Sequence, residues 1–316
     1  MIQTLLWLNE ADIHKRALER AGLAGRLSIQ TLDTNTQPTP AQLANTEILL
    51  AWSAPPGALA AMPKLRWIQA LTVGIENWLA RADLRPDVAL TCARGSHRVQ
   101  MPENILGALF HLTKPYAQAV IDQKERRWVR HVSESLAGKT LGILGLGTIG
   151  REVARKAAAL ELRVIGTKRD PQPVPGVEKV YAPGQIDEVL AQADFVLLLL
   201  PLTGETDAIM NARRLKKMKP SAYLLNFGRG GLINDEDLIH AVNNKTIAGA
   251  VLDVYRAEPL PKEHAFWGTE GITVLPHIGG LAIARDEIVA GIFSGNVERF
   301  LKGEPLDALV DRARGY

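Results

Sequence analysis

Thr140-Leu141-Gly142-Ile143-Leu144-Gly145-Leu146-Gly147-Thr148-Ile149-Gly150 is the stretch whose reading decides the fold. Five strand-type residues run into glycines spaced GxGxxG, and a helical pattern from Arg151 to Leu160 follows. In such a turn the first glycine permits a tight bend and the second lets backbone approach a pyrophosphate. The third lets helix and strand pack closely. The helix start then offers free N–H groups and a positive dipole to phosphates. Glycine-rich turns are common, so the motif alone is weak. The strand before it, the helix after it and a second strand, Arg163–Thr167, favour dinucleotide binding over a bare turn.

Outward from this motif, apolar β-rich runs alternate with helical patterns in both directions. Upstream strands are expected at Thr4–Leu8, Leu27–Leu32, Ile48–Trp52, Arg66–Leu71 and Val88–Ala93. Short helices are expected at Asp12–Ala21, Pro40–Ala44 and Pro56–Ala61. Met101 to Trp128 reads as one long helix. Downstream come Phe195–Leu199, Ala222–Asn226, Ala248–Leu252 and Ile272–Leu275, then a helix from Arg285 to Lys302 with apolar residues three or four apart. Continuous Val/Ile/Leu runs suit strands buried on both faces. The fold class is α/β, with two doubly wound parallel-sheet domains.

The length of 316 residues also suits two domains. With 47% hydrophobic and 22% charged residues, long disorder is excluded. A net charge of +3 without clustered Lys/Arg argues against nucleic-acid binding. No run reaches the roughly 18 apolar residues of a membrane helix, and the apolar start is broken by Asn9, Glu10 and Asp12. The one cysteine, Cys92, excludes an intramolecular disulfide, and the seven histidines show no metal-ligand spacing. A soluble, cytoplasmic protein without a metal is expected.

Chemistry concentrates at strand ends. An NAD site usually has Asp or Glu about 20 residues after the glycines, at the end of the second strand. Here that strand runs into Lys168-Arg169, with Asp170 in the turn before Pro171. The two cations match a 2′-phosphate, so NADP is expected ahead of NAD; the plain reading is a solvated loop end. Arg229, in Asn226-Phe227-Gly228-Arg229-Gly230-Gly231, can clamp a carboxylate or carbonyl, or be a surface arginine. Glu258 follows Leu252-Asp253-Val254-Tyr255, and His277 sits in Leu275-Pro276-His277-Ile278-Gly279-Gly280. Singly, each is more often structural. Together they supply an anion clamp, an orienting carboxylate and a proton donor, the set that carbonyl reduction by hydride needs.

In that order the motifs resemble the D-isomer-specific 2-hydroxyacid dehydrogenase family over essentially the whole chain. Leu71-Thr72-Val73-Gly74-Ile75-Glu76 resembles its substrate loop, and the ending Gly303 to Tyr316 resembles the glyoxylate/hydroxypyruvate reductase branch. The resemblance implies a Rossmann cofactor domain at 101–283 and a flavodoxin-like substrate-binding domain at 1–100 with 284–316. It makes Arg229 the substrate arginine, His277 the acid/base and Glu258 its partner, with Val73 and Gly74 amides receiving the substrate carboxylate. Gly145, Gly147, Thr148, Ile149 and Gly150 would hold the pyrophosphate, Lys168 and Arg169 the 2′-phosphate, and Leu200-Pro201 the nucleoside. Phe227, Gly228, Arg229, Asp253, His277, Gly279 and Gly280 would surround the nicotinamide half, with Asp253 on the carboxamide. A homodimer, in which the helix from Met101 takes part, is implied as well. Glu76 stands where the family often has Asp.

The expected reaction is NAD(P)H-dependent reduction of a small 2-oxo acid, such as glyoxylate or hydroxypyruvate, to the D-2-hydroxy acid, or its reverse. Trp52 and Met101 are candidate pocket walls, and a large Trp52 would favour small acids. A dehydrogenase of a bulkier 2-hydroxy acid is the alternative. A formate-oxidising relative would carry glutamine where Glu258 stands. A nucleotide-sensing, corepressor-like protein shares the fold but does not require the full Arg/Glu/His set.

Overall fold

Every strand ladder in the computed structural model is parallel, as expected from runs buried on both faces. The structure describes residues 1–313 and 315; Arg314 and Tyr316 of the C-terminal motif lie outside the described residues. In chain order the first elements are β1 (Ile2–Trp7), α1 (Ala11–Arg20), β2 (Leu27–Leu32), α2 (Pro40–Asn45), β3 (Ile48–Ala51), β4 (Trp67–Ala70), α3 (Glu76–Leu79) and β5 (Ala89–Thr91). Then follow α4 (Gln100–Thr113), α5 (Tyr116–Lys124), β6 (Thr140–Leu144), α6 (Thr148–Ala159), β7 (Arg163–Thr167), β8 (Lys179–Tyr181), α7 (Ile186–Gln192) and β9 (Phe195–Leu198). The last are α8 (Ala212–Leu215), β10 (Tyr223–Asn226), α9 (Asp235–Asn243), β11 (Gly249–Leu252), β12 (Ile272–Val274) and α10 (Arg285–Lys302).

The chain divides into two units, Met1–Ser96 with Ala282–Tyr316, and His97–Leu281. In the first, the strand order is β2-β1-β3-β4-β5. One face of that sheet packs Leu6, Leu50 and Trp67 against α10 through Val289, Phe293 and Val297; the other buries Trp7, Leu49 and Ile68. A buried polar chain also ties α10 to the sheet: Asn296 Nδ2 donates to Gln69 Oε1 at 3.1 Å, and Thr91 Oγ1 donates to the same oxygen at 2.8 Å.

In the second unit the order is β12-β11-β10-β9-β6-β7-β8. Connections run outward in opposite directions from β6 and β9, so the switch point lies between them. Ligands of such sheets bind beyond the carboxyl ends there. The glycine motif follows β6 and Leu200-Pro201 lies just past β9, so both stretches expected to bind cofactor flank that point. In the first sheet the reversal falls between β1 and β3, and Trp52 directly follows β3.

The expected single helix from Met101 to Trp128 is instead two. Lys114, which precedes Pro115, is extended (φ −116°, ψ 137°), as the proline ring forces on its predecessor. The chain from 125 to 139 is irregular. Pro56–Ala61 forms turns rather than a helix. The short edge strand β8 is an addition to the expected set, because three residues after a proline-rich stretch carry too little pattern. The first helix after the glycine motif starts at Thr148, three residues before the expected Arg151.

His14 on α1 is buried, its ring edge-on to Phe293 at 6.0 Å, and burial pushes its pKa down to about 4. The unfolded chain takes up this proton near pH 6.5, the folded chain only near 4, so stability is complete above 6.5 and falls across that window. A loss of about 3 kcal/mol between pH 6.5 and 4 is expected from this residue. Denaturant titrations should show the slope in wild type and lose most of it in His14→Leu.

Candidate active site

The glycines do three separate jobs. Gly145 has φ +113°, and a Cβ there would lie 2.8 Å from the Leu199 carbonyl oxygen. A Cβ on Gly150 would sit 2.3 Å from the Gly145 carbonyl oxygen, so helix and turn touch only because it is absent. Gly147 has nothing within 4 Å of a Cβ position, which leaves open space over the turn. The start of α6 has no side-chain cap and no acidic residue in its first turn. Thr148 and Ile149 thus begin a helix whose amides and dipole are available to an anion. These residues fit the pyrophosphate of a dinucleotide.

At the end of β7, the Lys168 amide donates to the Tyr181 carbonyl at 3.0 Å, which extends the sheet edge by one residue. Lys168 is half-buried and Arg169 exposed. Asp170, the one carboxylate nearby in sequence, accepts from Gln172 Nε2 at 3.2 Å within its own turn. Past β9, the Pro201 carbonyl accepts from Thr206 Oγ1 at 2.7 Å, which fixes that loop.

The candidate catalytic residues stand at the ends of three adjacent strands, β10, β11 and β12. Fully buried Asn226 shapes the first loop: its Oδ1 accepts from the Gly228 amide (3.1 Å) and its Nδ2 donates to the Arg229 carbonyl (2.9 Å). A Cβ on Gly230 would fall 1.9 Å from the Tyr255 carbonyl carbon, so this loop presses on the one after β11. Arg229 is held between, half-buried, with Nη1 donating to the Gly228 carbonyl at 2.8 Å.

Glu258 bridges two loops. Its Oε1 accepts from the Tyr255 amide at 2.8 Å and its Oε2 lies 2.6 Å from His277 Nδ1. A carboxylate can only accept, so Nδ1 carries the hydrogen and Nε2 is left to give or take a proton. His277 sits at φ +52°, a left-handed backbone that turns its side chain out of the strand path. Two further residues hold that turn. Buried Asp253 accepts from the Ile278 amide (2.8 Å) and the Gly279 amide (2.9 Å), and the Tyr255 hydroxyl shares its one hydrogen between the Leu252 (2.6 Å) and Leu275 (2.9 Å) carbonyls. Burial raises the pKa of Asp253 despite the two amides, and burial raises that of Tyr255.

Asp253, expected on a nicotinamide carboxamide, therefore anchors the His277 loop with both oxygens. A Cβ on Gly279 would meet Asp253 Oδ2 at 2.6 Å and Phe227 Cδ1 at 2.9 Å, which explains a glycine there. Asn226 and Tyr255 carry the loops, yet the sequence singles out neither. Their signal is only their position inside motifs noted for other residues.

In the first unit, the Leu71 amide donates to the Ala51 carbonyl (3.1 Å) and the Thr72 carbonyl accepts from Ala93 (2.9 Å). Carbonyl and N–H of one trans peptide point oppositely, so this bond aims the Val73 amide away from Ala93. Thr72 Oγ1 donates to the Gly74 carbonyl at 2.5 Å. No acceptor among the described residues takes the Val73 or Gly74 amide, which leaves two adjacent donors. Trp52 is 40% exposed. Met101 packs on the core of the second unit.

No group of three or more His, Cys, Asp or Glu is arranged to hold a metal among the described residues, and no described helix is long and apolar enough to cross a membrane.

Comparison with known proteins agrees with this fold. The profile of the D-isomer specific 2-hydroxyacid dehydrogenase NAD-binding domain matches residues 106–279. Glyoxylate/hydroxypyruvate reductase A of Photorhabdus laumondii subsp. laumondii is 29% identical over 278 residues, 86% of this chain and 88% of that one. A D-isomer specific 2-hydroxyacid dehydrogenase family protein of Aeromonas salmonicida has a similar solved structure, with TM-score 0.90 and 34% identity over 98% of this chain and 99% of that one. The NADPH-dependent glyoxylate/hydroxypyruvate reductase of Sinorhizobium meliloti, solved with NADP and sulfate, gives TM-score 0.84 and 27% identity over 100% of both chains.

Proposed function

This chain belongs to the D-isomer specific 2-hydroxyacid dehydrogenase family, and from that premise we propose that it is an NADP-preferring reductase of small 2-oxo acids. The balanced reaction is 2-oxo acid plus NADPH plus a proton giving D-2-hydroxy acid and NADP. Glyoxylate and hydroxypyruvate are the proposed substrates. The observation that carries this reading is the 2.6 Å pair of His277 and Glu258, fixed at the end of β12 beside the loops of β11 and β10.

The nicotinamide supplies a hydride to the carbonyl carbon when bound. His277 Nε2 gives the proton that the carbonyl oxygen needs, while Glu258 holds the ring in the matching tautomer. Arg229 offers a planar fork to the carboxylate or carbonyl of the substrate. In the first unit, the paired amides of Val73 and Gly74 suit a carboxylate. Asp253 and Tyr255 keep the His277 turn in place, and Asn226 does the same for Arg229. The test is the initial rate of NADPH and NADH oxidation against a panel of 2-oxo acids. Reduction of glyoxylate or hydroxypyruvate with NADPH supports the reading, and turnover only with bulky 2-oxo acids overturns the substrate.

Cofactor preference rests on Lys168 and Arg169, supported by the Sinorhizobium relative, which was solved with NADP. Each cation can make a charge-assisted bond to a 2′-phosphate, at about 1.5–3 kcal/mol before screening. Both are partly solvated, so the lower end applies. Lys168→Asp with Arg169→Ala should raise KM for NADPH about tenfold or more and lower that for NADH. The new carboxylate repels the phosphate and accepts from a ribose hydroxyl. Equal kcat/KM for the two cofactors in wild type would remove this assignment.

A homodimer is part of the proposal. Exposed Tyr116, Val120, Ile121, Trp128 and Val132 form an apolar run on and after α5 that supports it. Sedimentation at micromolar concentration should give a dimer, and Trp128→Glu with Val132→Glu should shift it to monomer. The buried free thiol of Cys92 supports a reducing compartment such as the cytoplasm.

A further inference from the structure

We propose that Arg285 is a positioning residue that sets substrate size, because its guanidinium fixes both the Trp52 ring and the Leu71–Gly74 loop. This deepens the reductase reading and rests on it. Arg285 opens α10 and is only 8% exposed. Its guanidinium carbon stands 4.4 Å from the centroid of the Trp52 ring. Nη2 donates to the Leu71 carbonyl, and Nη1 pairs with Asp286 Oδ1 at 2.7 Å. One side chain therefore joins the residue after β3, the end of β4 and the start of α10.

A purely structural role explains these contacts poorly. A cation at a helix N-terminus is opposed by the helix dipole, so Arg285 does not serve the start of α10. The helix has other anchors: Val289, Phe293 and Val297 are fully buried, and Asn296 bonds Gln69 from inside the sheet. A nearly buried charge is costly unless its donors are used. Here the donors go to the substrate loop and to Asp286, and the flat face goes to an indole that is otherwise 40% exposed.

The Leu71 carbonyl belongs to the peptide just before the one that aims Val73. Fixing it fixes the loop from its first residue. Stacking holds Trp52 in one rotamer, so that a bulky ring edge stays in place at the carboxyl end of β3. A wall held this way favours two- and three-carbon acids over branched ones. Released, the ring can turn and admit larger chains.

The experiment compares wild type, Arg285→Met, Arg285→Lys and Trp52→Ala, alone and with Arg285→Met. Each is assayed with NADPH against glyoxylate and against 4-methyl-2-oxopentanoate, with NADPH affinity measured by fluorescence. Arg285→Met should raise KM for glyoxylate about tenfold and cut the preference for glyoxylate over the branched acid by a similar factor. KM for NADPH should stay within about twofold. Arg285→Lys keeps a cation over the ring but loses the fork, so it should fall between the two. In the Trp52→Ala background the effect of Arg285→Met on selectivity should largely disappear. A fall in Tm with unchanged KM and selectivity in Arg285→Lys or Arg285→Met makes the residue structural only and overturns the proposal. Should Arg285→Met fail to fold, unchanged KM and selectivity in Arg285→Lys overturns it as well. Wild type inactive on every 2-oxo acid sinks the reductase reading and this proposal together; active wild type with unaltered variants sinks Arg285 alone.

Discussion

His277→Asn is expected to lower turnover of a 2-oxo acid about 10²- to 10⁴-fold, the usual contribution of a positioned general acid. Asparagine is the better substitution here. His277 sits at φ +52°, where asparagine is tolerated and alanine adds strain that would blur the result. The loop should survive, since Asp253 holds the Ile278 and Gly279 amides independently of the ring. NADPH affinity, read by fluorescence titration, should therefore stay close to wild type. Glu258→Gln should be milder in size and similar in kind, because the amide oxygen can still accept from Nδ1 but the amide can also turn its NH2 to the ring and lose that orientation. Turnover of His277→Asn within a few-fold of wild type would end the acid/base assignment.

Arg229→Lys should cost on the order of 10²-fold in kcat/KM for the 2-oxo acid, although the charge is kept. The reason is geometric. Asn226 and Gly230 fix the backbone at Arg229, and Nη1 already donates to the Gly228 carbonyl. The guanidinium is then presented in one plane. A lysine ammonium offers no plane and cannot hold that orientation while making the same contact. The loss should fall on KM and kcat together, with NADPH binding retained. A kcat/KM equal to wild type would remove the clamp role.

Much of this architecture is legible in the amino-acid sequence. The parallel α/β arrangement follows from near-continuous Val/Ile/Leu runs, and the expected bounds of Leu27–Leu32, Thr140–Leu144, Arg163–Thr167 and Arg285–Lys302 match the structure to the residue. These elements are long or strongly patterned. Expectation and structure part where local chemistry overrides pattern. Pro115 breaks a helix whose periodicity continues on both sides, and β8 owes its existence to an edge ladder with β7 rather than to its own three residues.

The site divides the same way. Arg229, Glu258 and His277 are candidates in sequence because each follows a strand in a recognisable motif, and the structure sets Glu258 against His277. Asp253 stands out in sequence for its place, yet its observed contacts are to two backbone amides 25 and 26 residues away, which no spacing reveals. Tyr255 is invisible as a brace because its hydroxyl works on carbonyls at two strand ends. Arg285 lies 214 residues from Leu71 in sequence, and only folding brings its guanidinium to that carbonyl.

The central claim is that the Arg229, Glu258 and His277 loops deliver a proton to a small 2-oxo acid as hydride arrives from NADPH. The most direct test is to incubate the wild-type protein with hydroxypyruvate and NADPH and to resolve the product on a chiral column. D-glycerate formed one for one with NADPH consumed is the predicted result. NADPH that binds but is not consumed, or glycerate of the L form, would contradict the account.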